Sequence, residues 1–540
     1  MAKPLAYSPE NPQKRIEEYP AFLLGKHPTK DTFLASYGQQ FVMLAAPPGT
    51  GKGVGAVIPN LLSYPDSMVV NDPKFENWEI TSGFRASAGH KVFRFSPERL
   101  ETHRWNPISA ISRDPLYRLG EIRTLARVLF VSDNPKNQEW YNKAGNVFTA
   151  ILLYLMETPK MPCSLPQAYE IGALGTGIGV WAHQVIEQRS SGPNPLSVET
   201  LRELNGVLEA SKNKSSGWST TVDIVRDVLS VYAEKTVAWA VSGDDIDFAK
   251  AREEKTTIYF SVTEGSLKKY GPLMNLFFTQ AIRLNSKVLP EQGGHCADGT
   301  LRLKYQLALM MDEFAIMGRM EIMETAPALT RGAGLRFFLI FQGKDQIRAT
   351  YGEEAANGIM KAIHNEIVFA PGDIKLAEEY SKRLGNTTVR VQNQSFNKRD
   401  MNHRGQTDSY SEQARPLMLP QEVNELPYEK QLIFIQGTKQ TEPIKVLSRK
   451  IFFYEEEVFR SRANMTPPPL PIGDASKIDA LTVPVRTTEA KVALSDEQPL
   501  RAEQEQRWSP RNAEAPATHA EKLGCAAPDS NFVEEGSKHL

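Results

Sequence analysis

The stretch FVMLAAPPGTGKGVGAVIPNLL, Phe41 to Leu62, constrains the chain more than any other. An apolar run stops at a loop rich in Pro and Gly and resumes as a helix-compatible segment, the pattern of a strand, a tight loop and a helix. The spacing approaches G-x-x-x-x-G-K-[ST], with Ala46 in place of the first Gly and Gly53 in place of the hydroxyl. In such a loop successive backbone N–H groups converge at a helix N-terminus, where the helix dipole also favours anions. Gly49 and Gly51 supply the backbone freedom, Pro48, Thr50, Gly53 and Val54 complete the loop and helix start, and Lys52 reaches for the β- and γ-phosphates. Ala46 is admissible at negative φ. Gly53 removes the hydroxyl that usually binds Mg²⁺, so water or another side chain must replace it, or metal binding is weaker.

A second element decides between a nucleotide site and a mere Gly-rich turn. YQLALMMDE, Tyr305 to Glu313, is an apolar strand that ends in paired carboxylates. Asp312 is placed to hold Mg²⁺ and Glu313 to orient and activate an attacking water. Together with the loop, this pair predicts ATP hydrolysis. Gln342 follows the strand LRFFLIF, where a polar residue can sense the γ-phosphate. Arg331 lies on the loop before that strand and is a candidate arginine finger acting in trans, an effect worth about 10³–10⁵ in rate in other NTPases.

Around these elements the chain reads as α/β. Short, partly β-branched runs at Phe41–Ala45, Ser67–Asp72, Lys91–Phe95, Thr256–Val262, Tyr305–Glu313, Leu335–Phe341, Glu366–Ala370 and Gln431–Gly437 predict a mainly parallel central sheet. Between them the period changes. Leu119, Ile122, Leu125, Ala126 and Leu129, then Trp140 to Leu155, then Val222 to Tyr232, recur at helical spacing. The expected organisation is a lead-in over 1–40, a nucleotide-binding domain over 41–114 and 243–464, an inserted all-α domain over 115–242, and a disordered tail over 465–540. The tail holds 12 acidic and 8 basic residues and few aromatics, a composition that disfavours a packed core. Val391–Ser411, rich in Asn, Gln, Arg and Ser, reads as a mobile surface excursion. The Gly-rich run Gly172–Gly179 lacks a following Lys and reads as structural, and Trp140–Tyr141 as core packing.

Composition narrows the functional classes. A net charge of −1 over 540 residues excludes a globally basic nucleic-acid coat, so any such contact is local. Cys163, Cys296 and Cys525 are far apart and lack metal-ligand spacing, which fits a reducing compartment. No run approaches the roughly 18–20 apolar residues of a membrane span. The chain is therefore expected to be soluble.

The set APPGTGKGVGAVIPNLL, NDPKFENWEITSGFR, RWNPIS, MMDEFAIMGRMEIM, QGKDQI and RPLMLPQEVNELP resembles the type IV coupling proteins, the TraG/TraD-type ATPases of bacterial conjugation and type IV secretion. The resemblance runs from about residue 41 to 455 in family order, and many members share the Lys52-Gly53 pairing. It implies a RecA-like P-loop NTPase domain interrupted by an all-α domain, with ATP and Mg²⁺ as cofactors. It also implies a ring, usually a hexamer, around single- or double-stranded DNA. Lys52 and Asp312 then serve phosphate and metal, Glu313 is the base, Gln342 the sensor and Arg331 the trans arginine. Asp72, Lys74 and Glu76 match a family motif beside the nucleotide. The implied partners are relaxase and relaxosome proteins and the secretion channel, at the cytoplasmic face of the inner membrane. The transmembrane anchor typical of the family is not seen in this sequence, and a removed segment or a partner is expected to supply it. Two rivals follow from the same residues: a segregation or repair translocase of the FtsK/HerA kind, and a non-hydrolysing adaptor that docks protein effectors.

Overall fold

A computed structural model describes residues 20–486, apart from 133, 214–216, 397–405 and 438–441. Its thirteen strands are β1 (Ala21–Lys26), β2 (Phe33–Tyr37), β3 (Val42–Ala45), β4 (Ser67–Asp72), β5 (Lys91–Phe95), β6 (Thr256–Ser261), β7 (Leu307–Met311), β8 (Leu335–Phe341), β9 (Asn365–Val368), β10 (Asn386–Phe396), β11 (Gln406–Pro416), β12 (Lys430–Ile435) and β13 (Ile444–Arg449). Eleven of them form one sheet in the order β2-β1-β13-β12-β9-β3-β8-β7-β4-β6-β5. From β9 to β5 every pairing is parallel. From β12 to β2 every pairing is antiparallel.

The parallel strands form because their side chains are apolar on both sides of the pleat. Alternate residues sort into two cores. Met43, Val69, Leu309, Met311 and Leu339 join one, and Val42, Leu44, Val70, Met310 and Ile340 join the other. The first core continues without a break into the helices between β5 and β6, through Ile122, Phe148, Ile151, Leu152, Val222 and Val225. Those helices include Pro115–Leu129, Gln138–Met156 and Trp218–Leu229. Among the described residues no strand interrupts them. They share the sheet's core instead of folding around one of their own, and the described residues make one compact unit.

Three stretches differ from the sequence reading. From Pro20 onward the lead-in is not irregular, since β1 and β2 add two strands to the sheet, paired from Ala21↔Tyr37 to Lys26↔Phe33 with a register shift between Leu23 and Gly25. Their anchor is Arg336 of β8, whose buried guanidinium donates to the carbonyls of Pro20, Ser36 and Gln40. The described residues of the excursion at 391–411 lie in two paired antiparallel strands, β10 and β11, from Asn386↔Pro416 to Phe396↔Gln406. Their polar residues conceal them because they are exposed over most of their described length and need no apolar alternation. The segment from Met465 to Arg486 packs on the body. The Gly473 amide donates to the Leu100 carbonyl at 2.8 Å. Gln167 exchanges hydrogen bonds of 2.6 and 2.9 Å with the backbone of Val483. Residues 487–540, with Cys525, lie outside the described residues. Trp140 is half-buried against Gly217 and does not join the core.

Candidate active site

The parallel strands point their C-terminal ends at one edge of the sheet, and the site is built there. β3 lies between β8 and β9, and as the chain leaves it the Ala46 amide donates to the Phe341 carbonyl at 3.0 Å. The loop then turns through Gly49 (φ 76°) and Gly51 (φ 82°), which occupy the left-handed region open to glycine. Ala46 is not in that region, so its Cβ costs nothing. The helix starts at Gly53 with a widened first turn, in which the Ile58 amide reaches back to the Gly53 carbonyl. Such π turns recur at functional sites.

Two strands away, β7 delivers the acids. Asp312 and Glu313 are both buried. Glu313 has φ 54°, and with Phe75 (φ 67°) it is one of two non-glycine left-handed residues among those described. Such strain persists only where the surroundings impose it, and it gathers at functional sites. Here it turns the Glu313 carboxylate toward the loop. Lys52 Nζ is ion-paired with Glu313 and lies 3.2 Å from Asp312 Oδ1. From the end of β8, Gln342 Nε2 donates to Glu313 Oε1 at 3.3 Å and to Oε2 at 3.2 Å. Burial pushes the Asp312 carboxyl above the usual aspartate range, against the opposing pull of Lys52. Burial also works against the Lys52 ammonium, but Asp312 and Glu313 outweigh it and hold the lysine above its ordinary value.

Pro48, Gly49, Gly51, Lys52, Gly53, Val54, Asp312, Glu313 and Gln342 thus line one cleft of about 240 Å³. Asp72, Lys74, Glu76, Asn77, Glu264 and Leu267 line it too. Asp72 is buried and serves the backbone. It accepts the amides of Asn77 (3.0 Å) and Trp78 (3.1 Å) and the Ser261 hydroxyl (2.9 Å), which fixes the start of helix Glu76–Ser87 beside the cleft. Burial raises its pKa to about 6, despite those bonds. Lys74 and Glu76 are exposed on the rim, and Lys74 pairs with Glu264 at 3.3 Å.

Two sequence candidates stand apart. The Thr50 hydroxyl turns back to the Pro47 carbonyl at 2.6 Å. Arg331 precedes β8, and seven extended residues, about 20 Å, separate it from Gln342. There it contacts the Ala362 carbonyl and His364 and lies over the Phe41 ring. Sequence reasoning missed Lys450, whose Nζ donates to the Thr50 carbonyl at 2.8 Å, and Tyr428, whose hydroxyl crowds Gly51. A lone Lys and a lone Tyr about 400 residues downstream carry no sequence signal that could have placed them there.

The donors suit Mg²⁺. Asp312 and Glu313 offer hard carboxylate oxygens, and a Cβ added at Gly53 would meet nothing within 4 Å, so there is room in place of the missing hydroxyl. Among the described residues no three His, Cys, Asp or Glu side chains could cage a metal. Mg²⁺ takes one or two carboxylates and completes its shell with phosphate oxygens and water.

A glycine loop at a helix start, a lysine on a buried acid pair and an amide on the adjacent strand define a RecA-like P-loop fold. The relatives bear this out at the level of fold. The conjugative coupling protein TrwBdeltaN70 in its unbound form superposes with a TM-score of 0.55 at 16% identity, covering 81% of this chain and 88% of that one. The family model for type IV secretory system conjugative DNA transfer matches residues 6–468, and the chain belongs to that family. VirD4 of Rhizobium rhizogenes is 28% identical over 79% of this chain and 60% of its own length. The conjugal transfer protein TraG of Escherichia coli is 25% identical over 81% and 70%. The chain therefore spans about three fifths of the length of the VirD4 relatives it matches. No helix among the described residues is long and apolar enough to cross a membrane.

Proposed function

We propose that the chain is the ATPase motor of a type IV coupling protein. In this reading it hydrolyses ATP to deliver relaxase-bound DNA, or a protein substrate, to a type IV secretion channel at the cytoplasmic face of the inner membrane. The observation that carries the reading is the convergence of Lys52, Asp312, Glu313 and Gln342 on one cleft at the loop. TrwB, a fold neighbour, has been solved with ADPNP and with ADP and Mg²⁺, which supports the same ligands here.

The amides from Gly49 to Val54 cradle phosphate oxygens and Lys52 neutralises them. Asp312, with water, would hold Mg²⁺, which when bound offsets the charge on the phosphates. Glu313 orients the attacking water and accepts its proton. In the geometry described, Lys52 and Gln342 both occupy the Glu313 carboxylate. A phosphate that draws Lys52 toward itself frees Glu313 for water, while Gln342 keeps it oriented, which couples binding to activation of the base.

Arg331 is at the wrong edge of the sheet to serve its own nucleotide. That position supports a role in trans, in a ring of six copies in which each subunit's far edge faces its neighbour's loop. The helical stretch over 115–242 is the surface proposed to receive the DNA–protein substrate.

The test is steady-state ATP hydrolysis by the purified chain, with and without single-stranded DNA, beside Lys52→Ala and Glu313→Gln. Hydrolysis stimulated by DNA and lost in both variants supports the motor. Absence of hydrolysis at concentrations where rings form would leave an adaptor that docks effectors as the better reading.

A further inference from the structure

On the side of the loop opposite Asp312 the chain builds a ladder of aromatic rings. The strand order makes the two sides explicit: β8 and β7 lie on one flank of β3, and β9, β12 and β13 lie on the other. At the end of β13, Phe452 stacks on Tyr428 with centroids 5.5 Å apart and planes 7° apart. It stacks on Tyr454 at 5.5 Å and 16°.

Four contacts tie the ladder to the loop and its helix. A Cβ at Gly51 would come within 2.5 Å of the Tyr428 hydroxyl. Phe452 packs 3.8 Å from the Cβ position of Gly55, one turn further along the same helix face. The Phe453 amide donates to the Val54 carbonyl at 3.2 Å. Lys450 donates to the Thr50 carbonyl, with its ammonium 3.8 Å from the Phe369 centroid and 4.7 Å from that of Tyr428.

Burial does not explain the ladder. Phe452 is inside, but Tyr428 and Tyr454 remain 51% and 45% exposed. Two large rings held parallel and left half in water gain little for the fold, yet they offer the flat π-face on which a nucleobase stacks. The length of the ligand supplies the rest. Lys52 draws the terminal phosphates toward Asp312, so the nucleoside must leave the loop on the other flank, where the ladder stands.

We propose that Tyr428, Phe452 and Tyr454 form the nucleobase platform of the site, on whose exposed rings the purine of a nucleoside triphosphate stacks, with Lys450 holding platform and loop in register. The proposal rests on the nucleotide-binding reading above and adds the part of the ligand that the cleft does not contact. Stacking grips any flat base, so the platform contributes affinity rather than a choice between purines.

Calorimetric titration with ATP and with inorganic tripolyphosphate, which lacks a base, separates the two readings. Wild type is compared with a Tyr428→Ala/Tyr454→Ala double variant and with Tyr428→Phe/Tyr454→Phe. The alanine pair should weaken ATP by about tenfold or more while leaving tripolyphosphate unchanged, and the phenylalanine pair should restore ATP. Tyr454→Ala alone, at the outer end of the ladder, should show a smaller loss of the same kind. ATP binding equal to wild type in the alanine pair overturns the platform. Equal weakening of both ligands also overturns it, because the rings then only shape the loop. Wild type that binds neither ligand overturns the nucleotide reading itself.

Discussion

The two halves of the central sheet obey different rules. In the parallel half, β4, β6, β7, β8 and β9 are buried at every position. In the antiparallel half, β1 mixes buried with partly open residues, and β13 is half-buried or exposed at every position but Ser448. Parallel strands need cover on both faces, whereas an antiparallel edge tolerates one face near water. The parallel half carries the loop, the acid pair and Gln342. The antiparallel half carries the residues that brace the loop from behind, Tyr428, Lys450 and Phe452. The candidate site thus sits on the half that is most fully buried, and its bracing residues come from the segments that flank β12 and β13.

The sharpest way to break this comparison is chemical. Glu313→Gln should lower ATP turnover by about 10²–10⁴-fold while nucleotide binding, followed by fluorescence, persists. Loss of binding instead would mean that Glu313 holds the site together rather than acting on water.

The next effect concerns the tie between β8 and the ends of β1 and β2. Arg336→Met removes the donors that satisfy the carbonyls of Pro20, Ser36 and Gln40, and should cost about 3 kcal/mol in urea unfolding. If the antiparallel edge were only loosely attached, the loss would stay below about 1 kcal/mol.

Gly83→Ala probes the stretch after the sheet. A Cβ there would meet the Met465 carbonyl oxygen at 2.3 Å, so the substitution should destabilise by about 1–3 kcal/mol. A neutral outcome would show that the chain beyond Asn464 does not pack on the body.

Lys450 gives a pH signature. Burial lowers its pKa from 10.5 to about 8 in the fold. Between those values the folded chain binds fewer protons than the unfolded chain, so stability rises with pH across that window. The stability of wild type relative to Lys450→Met should therefore climb as pH goes from about 8 towards 10.5. A flat difference in equilibrium unfolding would place the ammonium in water.

The smallest effect is at the loop. Gly53→Ala meets open space and should raise thermal stability by up to about 0.5–1 kcal/mol. Destabilisation there would reveal a crowding that the fold does not show.

Much of the site was legible because its signals are local. The loop is one contiguous run, and Asp312, Glu313 and Gln342 follow strands whose largely apolar character announces a doubly covered sheet. The support was not legible. Lys450 reaches Thr50 across 400 residues, and β1 pairs with β13 from the far end of the chain. Neither contact leaves a periodicity near either partner. The β10–β11 pair was unreadable for a different reason, since its exposed polar strands need no hydrophobic pattern. The stretch from Met465 to Arg486 was misread because many charges and few aromatics suggest disorder, while here it packs against Gly83 and Leu100.

By itself, then, the sequence determined the strand–loop–helix, the identities of Lys52, Asp312, Glu313 and Gln342, and the parallel character of the strands that carry them. These depend on residues close together in the chain, where hydrophobic period and backbone freedom act directly. The tertiary structure alone decided that Lys52 and Gln342 share the Glu313 carboxylate, that Arg331 stands at the far edge, and that Tyr428, Lys450 and Phe452 close around the loop. The reason is physical. Strand order in a sheet is set by which faces can be buried together, and the partners brought side by side can come from any distance along the chain.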